Sequence, residues 1–325
     1  MSQRAAFGEP WLRAWLRFWF DLPSLTTLAL MRIGVGTVLF YSLFVFSLDL
    51  TTHLAPGGWG DLGTLRASDP VAWPFSLFDW VDAIWWMWSV HFTAMVLAAL
   101  FTVGVVPSVT GWLSVIFYLS YGHRNPAVMV GLDGLLVLAL IYLSLAPTGR
   151  VLSVLPKWER RPSRHRPSAP PLSDQPQRPA WGAFMLRIVQ IHVCLIYLLS
   201  GLRSMFPEWL SGELLTHPRL LERGFPLGGE LFTASGTWSM GIAHVLTVAT
   251  LFYGILIWLP RFRYPVVGVM VTLHLVVGFM WGLQAFNVAM IVLNLAFLDS
   301  DHVEWVRRRL LALLTLPWLA GLSRL

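Results

Sequence analysis

The sequence predicts an all-α protein: a polytopic membrane helix bundle of about eight transmembrane helices, with interfacial helices and cytoplasmic N- and C-termini. Three observations lead to this prediction. Hydrophobic residues make up 56% of the 325 residues and charged residues only 12%, which is too little polar surface for a soluble domain of this length. The apolar residues form separate blocks of about 20 residues, the length that crosses a bilayer. Basic residues gather in alternate segments between those blocks.

Eight apolar blocks are predicted to cross the membrane. A span needs about 20 residues because an α-helix rises about 1.5 Å per residue. Proline and glycine lie near many of the block ends, where a missing helical hydrogen bond matters least. The third and eighth blocks are short, so the predicted number has a margin of one. The predicted spans are residues 25–48, 83–104, 107–123, 126–147, 181–202, 237–259, 264–283 and 285–298.

Lysine and arginine predict the orientation of these spans, because cytoplasmic loops carry an excess of basic residues. Most of the 23 basic residues lie at the N-terminus, between spans four and five, between spans six and seven, and in the C-terminal tail. With eight spans these segments all fall on one side, which predicts that both termini are cytoplasmic. The net charge of +6 comes from the same segments and favours anionic lipids as partners, with no nucleic acid.

The remaining segments predict the domain organisation. Residues 150–180 are rich in Pro, Arg and Ser, which is typical of a mobile cytoplasmic linker. The linker separates a membrane half of residues 1–149 from a second half of residues 181–300. Residues 301–325 then form a basic interfacial tail.

Two segments are predicted to lie on the membrane surface. The tryptophan-rich residues 11–20 and the short basic stretch 305–322 predict interfacial helices. The loops 49–82 and 203–236 are long, acidic and rich in tryptophan, and we expect them to fold against the outer interface.

Ionisable residues inside predicted spans are costly and are therefore candidates for function. Arg32 lies in the first span and Asp133 in the fourth. An arginine and a carboxylate neutralise each other, so we predict a buried charge pair, with a structural tie between helices as its simplest role. Arg187, near the cytoplasmic end of span five, is expected to extend towards the headgroups.

Histidines in four different spans raise the question of metal or haem. No two of them are three or four residues apart, so no metal site is predicted. Isolated histidines are also weak evidence for haem, which we do not expect, and we interpret them as hydrogen-bonded core residues. Asn287 and Asn294 of the last span are expected to join helices. The four histidines are His91, His192, His244 and His274.

Two motifs resemble the horizontally transferred transmembrane (HTTM) family, which is distantly related to the membrane core of the vitamin K-dependent gamma-carboxylase. The first is Arg124-Asn125 followed by Gly131-x-Asp133, with Ala146-Pro147 at the end of the span. The second runs from Tyr197 through Gly201 and Arg203 to Glu208-Trp209-x-x-Gly212, where span five enters the outer loop. Arg32 also matches the family pattern.

One departure limits what this resemblance implies. The carboxylase uses a lysine as its vitamin K-linked base, whereas the matching position here is Ser204, and the only lysine in the chain is Lys157. A serine hydroxyl cannot replace an amine as a base near neutral pH. We therefore expect no vitamin K-dependent carboxylation. The compact size resembles the small bacterial branch of the family. One member of that branch, the sporulation-delaying protein B type, works with a partner protein in maturing a secreted peptide toxin.

The second motif supplies the candidate site. Arg203, Glu208 and Trp209 are predicted to line the mouth of a cavity at the outer face, with His192 and Tyr197 beneath them. Arg203 would hold an anionic group and Glu208 would exchange protons. The alternative interpretation is that Glu208-Trp209 only anchors the loop at the interface, the depth that tryptophan prefers.

Three functions remain open from the sequence. The first is action on a lipid-soluble cofactor, such as a quinone-like lipid, or on an exported peptide at the outer face of the plasma (inner) membrane. The second is a transporter or peptide-export factor without covalent chemistry, in which Arg32, Asp133 and the histidines form a proton path. The third is a quinone-linked redox protein. No phosphate-binding loop, nucleophile elbow or catalytic carboxylate pair occurs, so the common enzyme classes are not indicated.

Overall fold

The computed structural model shows a helical protein. Within the described residues every regular element is a helix and there is no strand. The described residues are 9–21, 24–55, 58, 75–154, 180–216 and 236–314. Their α-helices are α1 (Glu9–Phe20), α2 (Leu25–Phe46), α3 (Leu50–Leu54), α4 (Ile84–Val103), α5 (Pro107–Arg124), α6 (Gly131–Leu145), α7 (Ala180–Arg203), α8 (Pro207–Leu210), α9 (Gly236–Leu256), α10 (Pro260–Trp281), α11 (Gln284–Asn294) and α12 (Ser300–Leu314).

Five stretches in the described part of the chain are long and apolar enough to cross a membrane, which makes this a multi-pass membrane protein. The other three predicted spans correspond to α5, α6 and α11, with 18, 15 and 11 residues. Length and composition alone therefore support five crossings rather than eight. The five stretches are Trp11–Phe46, Ile84–Val103, Ala180–Arg203, Gly236–Leu256 and Pro260–Trp281.

Local sequence explains where the helices begin and end. Ser24 caps α2 by accepting a hydrogen bond from the Thr26 amide at 3.1 Å. Gly104 ends α4 in the left-handed region, with φ at 84°, a conformation that favours glycine. Pro107 and Pro260 begin α5 and α10, where the missing amide hydrogen costs nothing. The observed bounds lie within three residues of the predicted ones, except that α6 begins five residues later, α10 begins four residues earlier and α11 ends four residues earlier.

The helices run antiparallel and give the bundle two ends. We call one of them the basic end, because Arg17, Arg187 and Arg263 lie there. It contains the start of α2, the end of α6 and the starts of α7 and α10. The other is called the opposite end. Helix α2 packs against α4, α6 and α11, whereas α7 packs against α9. Leu28, Val35 and Leu39 of α2 are among its fully buried side chains.

Arg32 is completely buried in α2 and joins three chain segments at the basic end. Its guanidinium donates to the carbonyl of Thr148 at 2.8 Å and to that of Leu152. Gly104 lies so close that a β-carbon there would be 2.7 Å from the guanidinium carbon. Arg32 therefore fastens α2 to the turn after α4 and to the segment after α6.

The structure places Arg32 and Asp133, the predicted charge pair, towards different ends of α6. Asp133 lies in the first turn of α6, whereas Arg32 contacts a carbonyl beyond the last turn. The 12 residues of α6 that follow Asp133, or roughly 18 Å, separate the two positions. The two residues therefore stabilise different ends of the bundle.

A hydrogen-bonded network of buried side chains joins four helices of the C-terminal half. Tyr253 donates to Oδ1 of Asn294 at 2.7 Å, and Asn294 donates to the hydroxyl of Tyr197 at 2.9 Å. The Tyr197 hydroxyl is 2.7 Å from Nε2 of His274, whose Nδ1 is 2.6 Å from Oδ1 of Asn287. The two asparagines thus join helices, in agreement with the prediction.

The surface segments are described in part. Helix α1 covers the predicted interfacial residues 11–20. Helix α12 includes part of the predicted segment 305–322, and the hydrogen bond from Arg307 lowers the pKa of Glu304. Residues 155–179 of the predicted linker, residues 217–235 of the second outer loop and most of residues 56–74 of the first lie outside the described residues.

Candidate functional site

A cavity of about 310 Å³ opens at the opposite end between α2, α5, α6 and α11. We call it the α2–α6 cavity. Its walls are largely apolar and include Leu43, Val45, Phe46, Met129, Leu132 and Ala285. Its polar lining comprises Tyr41, Ser42, Asp49, His53, Tyr118, Tyr121 and Asp133.

Two short helices create the space for this cavity. Residues 126–128 form a 3₁₀ turn, so α6 begins only at Gly131. Helix α11 begins at Gln284 and has 11 residues. Neighbouring α2, with 22 residues, is about 10 Å longer than α6 at about 1.5 Å per residue. The first turns of α6 and α11 therefore lie at the cavity instead of at the bundle surface.

Asp133 is a buried carboxylate in the cavity lining, with only 8% of its surface exposed. Its Oδ1 accepts from the hydroxyl of Tyr118 at 2.5 Å, and its Oδ2 accepts from the amide of Val130 at 2.5 Å. The second bond is a helix cap, which favours a carboxylate at the start of α6. A carboxylate has about four acceptor positions, so Asp133 can still accept a hydrogen bond from a ligand.

A series of hydrogen-bonded side chains leads from the cavity into the helix bundle. The Tyr121 hydroxyl is 2.7 Å from Nδ1 of His91, and Nε2 of His91 is 2.7 Å from Oγ of Ser47. Ser47 in turn donates to the carbonyl of Leu43 at 3.1 Å. Both ring nitrogens of His91 therefore have a hydroxyl partner. The series thus holds the Tyr121 ring in place at the cavity wall.

Ser42 adds an unpaired polar atom to the same cavity. Its Oγ is buried and has no hydrogen-bond partner among the described residues. A buried hydroxyl without a partner costs free energy, and a bound polar group would remove that cost. Asp133 keeps some exposed surface in the cavity and is therefore a position where a ligand can gain a hydrogen bond.

Arg124 and Asn125, the first residues of the resemblance motif, hold the mouth of the cavity together. Arg124 forms an ion pair with Asp79 at 2.8 Å and donates to the carbonyl of Leu54 at 3.2 Å. Asn125 donates to the carbonyl of His53 at 3.1 Å. The motif thus places Asp133 in the cavity and fixes His53 at its edge.

The predicted site residues are not gathered around one cavity. Arg203 and Glu208 are exposed, and neither lines the α2–α6 cavity or the apolar groove between α9 and α10. His192 lies 3.1 Å from the hydroxyl of Tyr142, and Tyr197 belongs to the buried network with His274. The five residues remain a prediction as a catalytic group.

Trp209 and Gly212 show what the second motif does in the structure. The indole nitrogen of Trp209 donates to Oγ1 of Thr247 on α9 at 3.1 Å. Gly212 has φ at 78°, and a β-carbon there would lie 2.5 Å from the amide nitrogen of Met240. Both residues seat the loop after α7 against α9, which agrees with an anchoring role.

Four residues that line the α2–α6 cavity were not predicted as site residues: Ser42, His53, Tyr118 and Tyr121. Tyr118 and Tyr121 are one helical turn apart near the end of a span, and that spacing places both on one face of α5. The late start of α6 was not predicted, because the fourth predicted span begins at residue 126 and α6 begins at Gly131.

Metal ligands and known relatives give no further guidance. Among the described residues, no group of three or more His, Cys, Asp or Glu side chains is placed to hold a metal ion. Comparisons with protein-family models, curated proteins and solved structures find no match.

Proposed function

We propose that this membrane protein binds a lipid-soluble molecule in the α2–α6 cavity, with the polar head of that molecule hydrogen-bonded to Asp133. The observation that carries the proposal is a buried carboxylate facing a largely apolar cavity. Apolar walls with a few directed polar groups are typical of small-molecule sites. The ligand class that fits is a long apolar body with a hydroxyl, phenol or amine head, as in a quinol-like lipid.

The topology proposed with this function has eight crossings with both termini in the cytoplasm of the plasma (inner) membrane. In that arrangement the opposite end faces outward and the cavity opens at the outer surface. Two observations support this topology. The basic residues gather in alternate segments, and the helices run antiparallel in the order α2, α4, α5, α6, α7, α9, α10 and α11. We further propose that the chain is HTTM-like, because the motif residues Arg124, Asn125 and Asp133 all support one cavity.

An exported peptide is the second ligand class. Asp49 and Asp133 both line the cavity, and two carboxylates favour a peptide amine. The ligand identified in the experiment below decides between the two classes.

The experiment is to purify the protein in mild detergent and identify co-purified molecules by mass spectrometry. We expect the wild type to retain a lipid-soluble molecule, and Asp133→Asn to retain at most about a tenth of it, the loss from one charge-assisted hydrogen bond. Tyr41→Ala, at the exposed rim of the cavity, should also lose ligand without unfolding. Asp301→Asn, exposed on α12, is the matched control.

The two possible failures can be told apart. If Asp133→Asn and Tyr41→Ala retain as much ligand as the wild type, the cavity is not the binding site. If the wild type retains no molecule other than bulk phospholipid, the proposed function is wrong.

A further inference from the structure

A second cavity lies at the basic end and plays no part in the proposed function. It has a volume of about 480 Å³ and is formed by α1, α7, the start of α10 and the segment after α11. Its charged and polar lining consists of Arg17, Asp21, Arg187, Gln190, Arg263 and Asp299. We call it the basic cavity. Three guanidinium groups and two carboxylates leave it with one excess positive charge.

Arg187 is held rigidly in this cavity by uncharged groups. Its Nε donates to the carbonyl of Phe18 at 2.6 Å, and its Nη1 donates to Oε1 of Gln190 at 2.6 Å. Its guanidinium carbon lies 4.7 Å from the centre of the Phe18 ring. Gln190 is fixed in turn by donating to the carbonyl of Ala296 at 2.6 Å. These contacts orient the guanidinium through uncharged groups, and Asp21 of the same lining is the described carboxylate that acts on its charge.

Arg263 supplies a second cation on the other wall. Its Nη1 forms an ion pair with Asp299 at 2.9 Å, and a quarter of its side chain is exposed. Tyr264 also donates to Asp299. Asp299 thereby accepts from Arg263 through Oδ1 and from Tyr264 through Oδ2. Two like charges facing one cavity repel each other, and an anion between them lowers that repulsion.

The position of the basic cavity favours a lipid source for that anion. Helix α1 borders the cavity, and its tryptophans Trp11 and Trp15 are 68% and 48% exposed. Exposed tryptophan is typical of the membrane–water interface. The phosphate of an anionic phospholipid is the abundant anion at this depth, and basic pockets between helices hold such headgroups.

We propose that the basic cavity binds the phosphate of an anionic phospholipid headgroup. Arg187 and Arg263 donate to its oxygens from opposite walls, and Arg17 contributes from α1. Arginine suits this role because its planar donors match phosphate geometry. The acyl chains lie along the exposed apolar surface beside α1. Inorganic phosphate offers the same chemistry from water and is separated from the lipid by experiment.

The test measures retained lipid by native mass spectrometry of the purified full chain. The protein is titrated with dioleoylphosphatidylglycerol, dioleoylphosphatidylcholine or inorganic phosphate. We expect phosphatidylglycerol to bind about tenfold more tightly than phosphatidylcholine, and Arg17→Gln/Arg263→Gln to remove most of that difference. Arg187→Gln should do the same, although it also removes contacts between α1 and α7. Arg261→Gln, which removes an exposed charge two residues from Arg263, should stay within about twofold of the wild type.

Each remaining outcome overturns the proposal. If Arg17→Gln/Arg263→Gln binds phosphatidylglycerol like the wild type, the cavity is not the site. If phosphatidylcholine binds equally well, the positive charge does not select the lipid. If inorganic phosphate displaces the lipid at equal concentration, the site takes free phosphate instead of a headgroup. The thermal midpoint of the double variant separates loss of binding from unfolding, because Arg263→Gln also removes the ion pair with Asp299.

Discussion

The indole nitrogen of Trp209 lies 3.1 Å from Oγ1 of Thr247, which fastens the loop after α7 to the middle of α9. Thr247 itself donates to the carbonyl of Ala243 at 2.8 Å, so its oxygen is fixed in direction. Trp281 and Leu215 pack beside this contact with Ala243. The loop is thus held by one directed bond and a small apolar cluster.

Replacing Trp209 by phenylalanine should loosen this loop. The variant keeps an aromatic ring but loses the indole donor, at a cost of about 1 kcal/mol. Limited proteolysis should cut residues 204–216 several-fold faster than in the wild type. Trp238→Phe, at a tryptophan that is 70% exposed, is the control. Equal cleavage of both variants would show that the bond to Thr247 does not hold the loop.

Gly212→Ala should destabilise the same loop more strongly. Its left-handed φ disfavours any β-carbon, and that carbon would contact the backbone of Met240. We expect a cost of about 1–3 kcal/mol, measured as a lower thermal midpoint in detergent. Gly241→Ala, on α9 with no atom within 4 Å of the added carbon, should be neutral or slightly stabilising. If Gly212→Ala and Gly241→Ala have equal thermal midpoints, the close contact between position 212 and the backbone of Met240 is wrong.

A double-mutant cycle should show that Arg32 and Asp133 act independently. Arg32→Met leaves the Thr148 and Leu152 carbonyls without this donor and should cost about 2–4 kcal/mol. Asp133→Asn weakens the start of α6 by about 1 kcal/mol. Asp133 lies at the start of α6, whereas Arg32 of α2 contacts the segment after the end of α6. The two changes in the free energy of unfolding should therefore add within about 0.5 kcal/mol. A coupling free energy above about 1 kcal/mol in unfolding measurements would show that the two residues do interact as a charge pair.

Tyr197→Phe should destabilise the C-terminal half. The change removes the hydroxyl that bonds both His274 and Asn294, and we expect a cost of about 1–3 kcal/mol. Hydrogen exchange of α10 and α11 should increase, because the lost bonds join these helices to α7. Tyr41→Phe, at an exposed tyrosine of α2, controls for removal of a hydroxyl. An unchanged exchange rate in Tyr197→Phe would mean that the network does not hold the helices.

The helix bounds could be predicted because their signals are local. Gly104 and Pro107 mark the turn between α4 and α5, and Pro260 starts α10, each through its own backbone chemistry. The number of crossings could not be fixed in this way. It depends on whether short helices such as α6 and α11 are covered by longer neighbours, and that is a property of the packing.

The site was harder to predict because its parts come from distant segments. Asp133 was recognised as costly inside a span, but its partner was chosen by charge alone. The predicted topology already separated the two, since Arg32 follows the cytoplasmic start of span one and Asp133 follows the outer start of span four. The neutral hydroxyl of Tyr118 carries no sequence signal for pairing with a carboxylate.

The shortness of α6 has a consequence for the electrical insulation of the membrane. Its 15 residues span only about 22 Å, less than the roughly 30 Å of a hydrocarbon layer. With α6 as one of the eight proposed crossings, the barrier to leaking ions beneath the cavity floor is thinner than elsewhere in the bilayer. Leu136, Leu140 and Leu143 are packed there with almost no exposed surface, and these three side chains supply the dielectric seal that lipid provides around the longer helices.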